Sequence, residues 1–141
     1  MFLCGVWGIE MTVAHDPVYE AHRQVVLVVE DEALVRMNAR DMFEDMGFEV
    51  VDAADGREAL DLLEARSDID LVFSDCRMPR VTGPELARTA ARRWPSLRIV
   101  LTSAYHDLPK PEWPLISKPY DAGTLERVVR LSLGSPRPAT I

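Results

Sequence analysis

Short unbroken apolar runs alternate along the chain with longer stretches whose apolar residues recur at helical spacing. Residues 25–29, VVLVV, lie between Arg23 and the acidic Glu30-Asp31-Glu32. A β-branched run of this length reads as a strand buried on both faces. From Ala33 the period changes. Val35, Ala39, Met42, Phe43 and Met46 fall at i, i+4, i+7, i+8 and i+11, which predicts a helix over 33–46. Gly47 stands where a helix C-terminal glycine belongs. Residues 49–52 predict a second, weaker strand, and Asp55 is placed to cap a helix with Ala59, Leu60 and Leu63 on its inner face. Residues 70–74 predict a third strand, ending at Asp75. Pro79 and Gly83 mark a turn, and Pro84 suits the first position of a helix that stops at Trp94, before Pro95. Residues 97–101 predict a fourth strand, followed by Thr102 and Ser103, and residues 115–117 a short fifth, followed by Lys118 and Pro119. Asp121 is placed to cap a last helix through Leu125, Val128, Val129 and Leu133.

Strands that alternate with helices imply an α/β fold, a doubly wound five-stranded parallel sheet. In so small a domain the flavodoxin-like order 2-1-3-4-5 is expected. The fourth crossover is unusual. Eleven residues separate Ser103 from Leu115, and they include Pro109, Pro111 and Pro114. Each proline removes a backbone donor, so the fourth helix is expected to be absent or a single turn. Residues 1–23 read as a flexible leader, 24–133 as the folded domain and 134–141 as a flexible tail.

At 141 residues, 48% hydrophobic and 28% charged, the chain can bury a core without disulfides or structural metal. Cys4 and Cys76 make no disulfide framework, which suits a reducing, cytoplasmic setting. A net charge of −7 argues against a nucleic-acid surface, and Arg92, Arg93 and Arg98 read as a solvated helix end and loop. The apolar residues 1–9 are too few to span a bilayer, so no membrane is expected as a partner. His15, His22 and His106 show no metal-ligand spacing.

Ligands of doubly wound sheets bind outside the carboxyl ends of the strands, where strand order reverses. There the chain places Glu30, Asp31, Asp75, Thr102, Ser103 and Lys118. Each residue alone has an ordinary reading, as a helix cap, a turn element or a partner for strand-end backbone. Their arrival at one edge outweighs those readings. Converging carboxylates repel, by roughly 4 kcal/mol for unit charges about 4 Å apart at an effective dielectric near 20. A hard divalent cation such as magnesium offsets that repulsion, and Lys118 adds a second positive charge.

With VVLVVEDE at 25–32, DLVFSDCRMPRVTGPEL at 70–86, RIVLTSA at 98–104 and SKPY at 117–120, the chain resembles the receiver domains of two-component response regulators. The resemblance covers roughly residues 24–133, and Leu108-Pro109 is similar to the LP motif of short receivers. It implies that Asp75 is the phosphoacceptor and that magnesium is held by Asp31, Asp75, the backbone carbonyl of Arg77 and, through a water, Glu30. It implies that Ser103, followed by the small Ala104, turns its hydroxyl toward the phosphoryl group and that Lys118 pairs with a phosphoryl oxygen. On this pattern Thr102 stands one place too early. The implied partners are a histidine kinase or histidine phosphotransfer protein and a downstream protein reached by protein contacts. A homodimer is compatible with it. No helix-turn-helix is expected within the short tail.

Leu115 stands where receivers commonly carry Tyr or Phe, leaving Tyr105, Trp113 or Tyr120 as substitutes. Arg77 reads either as a gate or as a solvated loop residue, and Cys76 as a packing residue. The same motifs allow a phosphate sink or the receiver portion of a hybrid histidine kinase. A magnesium-dependent phosphatase with an aspartyl nucleophile wants a second Asp where Arg77 stands. An FMN-binding flavodoxin would have its phosphate repelled by Glu30-Asp31-Glu32. No catalysis beyond the domain's own phosphorylation and dephosphorylation is expected.

Overall fold

A computed structural model describes residues 23–104 and 112–134. Within them the chain forms β1 (Val25–Val29), α1 (Ala33–Asp45), β2 (Glu49–Ala53), α2 (Gly56–Ala65), β3 (Leu71–Asp75), α3 (Gly83–Arg93), β4 (Arg98–Ser103), β5 (Leu115–Ser117) and α4 (Ala122–Leu133). The sheet is parallel throughout, in the order β2-β1-β3-β4-β5, as expected.

Strand residues alternate between two cores. Leu27, Val29, Val72, Ile99 and Leu101 face α2 and α3 and pack on Ala59, Leu63, Leu86 and Ala90. Val26, Val28, Leu71, Phe73 and Val100 face α1 and α4 and pack on Ala39, Phe43, Leu125 and Val129. Three edge-to-face ring contacts run through this second core, Phe48 to Phe43, Phe43 to Phe73 and Phe73 to Tyr120, with centroids 5.6, 5.3 and 5.8 Å apart.

Local chemistry ends the elements where the sheet needs them to end. Gly47 takes a φ of 96° just after α1, the left-handed turn a glycine makes without steric cost. Asp55 and Asp121 cap α2 and α4 by accepting the N–H groups of Glu58 (2.8 Å) and Thr124 (2.7 Å). Helix α3 begins one residue earlier than expected. Thr82 is its cap, in a reciprocal box with Glu85, and Pro84 takes the second position. Strand β4 runs two residues further than expected, through Thr102 and Ser103, because both still pair with β5.

The expected short fourth helix falls on residues 105–111, outside the described residues; of that connection, Ala104 and residues 112–114 are described and are not helical. The expected leader and tail also lie outside the described residues, apart from Arg23 and Gly134.

Arg80 adopts a φ of 69° and donates to Asp55 Oδ2 at 2.8 Å. Left-handed backbone costs a residue with a Cβ about 1–2 kcal/mol, while solvent screens the exposed ion pair. Arg80→Gly is therefore expected to raise stability by about 1 kcal/mol, read as a higher urea midpoint. A lower midpoint would show that the Asp55 contact outweighs the backbone strain.

Candidate functional site

Because every strand is parallel, their carboxyl ends share one edge, and the polar residues are gathered there. Glu30 extends β1, with its N–H donating to Ala53 O at 3.1 Å. Asp75 closes β3, Ser103 closes β4, and Lys118 follows β5, with its N–H donating to Ser103 O at 2.8 Å. One carboxylate oxygen from each of Glu30, Asp31 and Asp75 lies within 4.8 Å of the other two. Glu30 and Asp75 are buried, whereas Asp31 opens to solvent. The Lys118 ammonium reaches Glu30 Oε1 at 3.1 Å and Asp75 Oδ2 at 3.4 Å.

This donor set fits a hard divalent cation: three carboxylates, oxygen only, one of them exposed to incoming ions. The helix-cap reading of Asp31 fails, since Glu32 is the cap residue of α1 and makes no side-chain cap bond.

Burial first, then the charge of Asp75, pushes the Glu30 carboxyl above the usual range; the Glu32 N–H and Lys118 oppose this. Burial likewise pushes Asp75 up, against the pull of Lys118 and the N–H groups of Arg77 and Cys76. For Lys118, burial works against the ammonium, yet Asp75 and Glu30 together hold its pKa above the ordinary lysine value. Three carboxyl groups meet one ammonium at this edge, an arrangement suited to a cation.

Sequence reasoning missed Arg36. Its Nη1 donates to Glu30 O at 2.7 Å and its Nε contacts Asp52 Oδ2 at 3.3 Å, with Arg40 also on Asp52. The bend carrying Glu30 and Asp31 is thereby tied to β2 and α1. Only its place one turn into α1 marks Arg36 in the sequence, and any surface arginine shares that mark.

Other expectations have definite places. Cys76 is buried, and its thiol is pushed up to about 11 by burial and then by Asp75, so it packs rather than reacts as a thiolate. Arg77 is exposed. Leu115 and Trp113 pack on the α2/α3 core and Tyr120 on the α1/α4 core. Arg93 pairs with Glu64 and lies over the Trp94 ring at 4.5 Å. Tyr105, His15, His22, His106 and Cys4 lie outside the described residues.

A parallel sheet in this order, with this edge, defines a class. Residues 26–130 match the family of the response regulator receiver domain, and the chain belongs to it. It is similar to the transcriptional regulatory protein PdtaR of Mycobacterium tuberculosis, 36% identical over 106 residues, covering 74% of this chain and 48% of that protein. It is similar to the sensor kinase CckA of Brucella abortus, 38% identical over 57% of this chain and 9% of that protein. The chain thus spans about half the length of the first relative and a small part of the second. Among solved structures, the receiver domain of the hybrid histidine kinase CckA matches with 35% identity and a TM-score of 0.68, covering 77% of this chain and 98% of that one. The chemotaxis protein CheY4 of Vibrio cholerae matches with 26% identity and a TM-score of 0.70, covering 78% and 98%. Receiver domains are the signalling switches of two-component systems and work with histidine kinases or phosphotransfer proteins.

Proposed function

We propose that this receiver domain takes a phosphoryl group on Asp75 in a magnesium-dependent reaction and passes the signal on through protein contacts. The observation that carries this reading is the Lys118 ammonium bridging Glu30 and Asp75, beside the exposed carboxylate of Asp31.

Glu30, Asp31 and Asp75 would hold the ion, Glu30 through a water, with the carbonyl of Arg77 as a further oxygen ligand. When bound, magnesium supplies positive charge against the carboxylates and the phosphoryl oxygens. The chain's own residues do the rest. Asp75 is the nucleophile: one Oδ bonds to phosphorus while the bond from phosphorus to the donor breaks, and the leaving group keeps the electron pair. Lys118 pairs with a phosphoryl oxygen and opposes charge on the transferring group. Ser103, at the last position of β4, turns its hydroxyl over the strand end toward the same group. The donor is the phosphohistidine of a kinase or phosphotransfer protein. The receiver unit spans residues 24–133, and its output is a change of shape rather than turnover of a separate substrate.

Incubation with acetyl phosphate and magnesium, followed by borohydride reduction and peptide mass spectrometry, tests this. An aspartyl phosphate at residue 75 is reduced to homoserine there. Homoserine at any other position, or none, would sink the reading.

A further inference from the structure

Among the described residues, Thr102 Oγ1 is a buried side-chain oxygen with no hydrogen-bond partner. Thr102 is only 2% exposed, and a buried polar group left unpaired is costly. A valine would fill nearly the same volume without that cost. The position of the hydroxyl is therefore informative.

Asp75 and Thr102 are register partners, and so are Thr102 and Ile116. Register partners in a parallel pair share a face, as Phe73 and Val100 do in the α1/α4 core two residues earlier. Glu30, two residues after Val28, continues on that face, and Lys118, two residues after Ile116, does the same. Glu30, Asp75, Thr102 and Lys118 thus stand in sheet order on β1, β3, β4 and β5. Lys118 starts beside β5 and ends on Asp75 and Glu30, so its arm passes across β4 on the face that carries Thr102. Ser103, one residue on, is rooted on the other face with Leu101.

We propose that Thr102 is a positioning residue for phosphoryl transfer, its hydroxyl accepting a hydrogen bond from the Lys118 ammonium as the phosphoryl group bonds to Asp75. In the resting protein the ammonium is extended to Glu30, beyond Thr102. A phosphoryl group on Asp75 presents new anionic oxygens, and the ammonium turns back from Glu30 to meet them. That movement returns it over β4, where Thr102 Oγ accepts one of its three N–H groups. Glu30 and Asp75 draw the lysine outward at rest; Thr102 receives it during transfer. This rests on Asp75 being the phosphoacceptor.

The test compares native protein, Thr102→Val and Thr102→Ser. Labelling by acetyl phosphate is followed over a magnesium series, and melting is measured without metal. Thr102→Val is expected to label about tenfold more slowly at saturating magnesium, the loss of one hydrogen bond to a charged group. Its half-saturating magnesium concentration stays unchanged, because Thr102 is no ligand, and it melts at or above the native temperature. Thr102→Ser is expected to restore labelling to within about threefold, since it keeps the acceptor. Native labelling rates in Thr102→Val, or a Thr102→Ser as slow as the valine variant, would overturn the inference and leave the Asp75 reading standing. A native protein that takes no label at residue 75 would overturn both.

Discussion

Asp75→Asn is expected to lower phosphoryl labelling by at least about a thousandfold, the scale on which loss of a nucleophile acts, while making the metal-free protein more stable. The first effect follows because the amide offers no anionic oxygen to attack phosphorus. The second follows from burial of charge, and after it from crowding. Burial raises Asp75, and burial together with Asp75 raises Glu30. A carboxyl whose folded pKa lies above its unfolded value contributes stability below the unfolded value and loses it as pH rises through the folded one. As pH rises through the raised values, ionising the native pair costs the fold stability, and the asparagine variant has one such carboxyl fewer. The variant is expected to gain on the order of 1 kcal/mol there. Its advantage narrows as pH falls from the raised value toward the ordinary aspartate value of 3.8. Magnesium reverses the ranking. It stabilises the form that binds it, by about 2.7 kcal/mol at a hundredfold excess over Kd, and the variant has lost one of three carboxylates. Melting curves with and without magnesium, between pH 4 and pH 8, measure all of this. Undiminished labelling would move the acceptor elsewhere. A metal-free variant less stable than native at neutral pH would show that the attraction of Lys118 exceeds the cost of burying the Asp75 charge.

Gly83→Ala is expected to destabilise the domain by about 3 kcal/mol or more, at the upper end for overpacking. A Cβ on Gly83 would lie 2.4 Å from the Asp75 carbonyl oxygen and 2.8 Å from Cys76 Cα. Both are backbone atoms, so no side chain can swing aside. The close approach is bonded in place: Gly83 N–H donates to Cys76 O at 2.9 Å, and Cys76 N–H to Thr102 O at 2.8 Å. The alanine variant must therefore move the start of α3 or the end of β3, and the latter carries Asp75. Urea denaturation reads the loss. Labelling in magnesium at a temperature where the variant remains folded reads the displacement, expected to slow transfer at least about tenfold. A variant of native stability would show that α3 can retreat freely.

The fold was legible because its signals are local and repeated. The five apolar runs mark the strands, and the caps at Asp55 and Asp121 act within three residues of themselves. The cap of α3 was readable in Thr82 and Glu85 but was obscured by Pro84, a start signal one place out of step. The site was legible as a set because parallel strands bring every strand end to one edge. Its finer parts were not. Arg36 meets Glu30 O only through the rotation of α1 against β1, which no spacing encodes. The orphaned oxygen of Thr102 depends on the register between β3 and β4, fixed by packing across the sheet rather than along the chain.

The two cores meet at Asp75. Its side chain stands above the layer of α1 and α4, while the next residue, Cys76, turns into the layer of α2 and α3 together with Met78. A phosphoryl group on Asp75 would stand at this seam, next to one layer through the Lys118 ammonium and next to the other through the Cys76 carbonyl that binds Gly83. One covalent event at Asp75 would thus have two addresses, one on each side of the sheet.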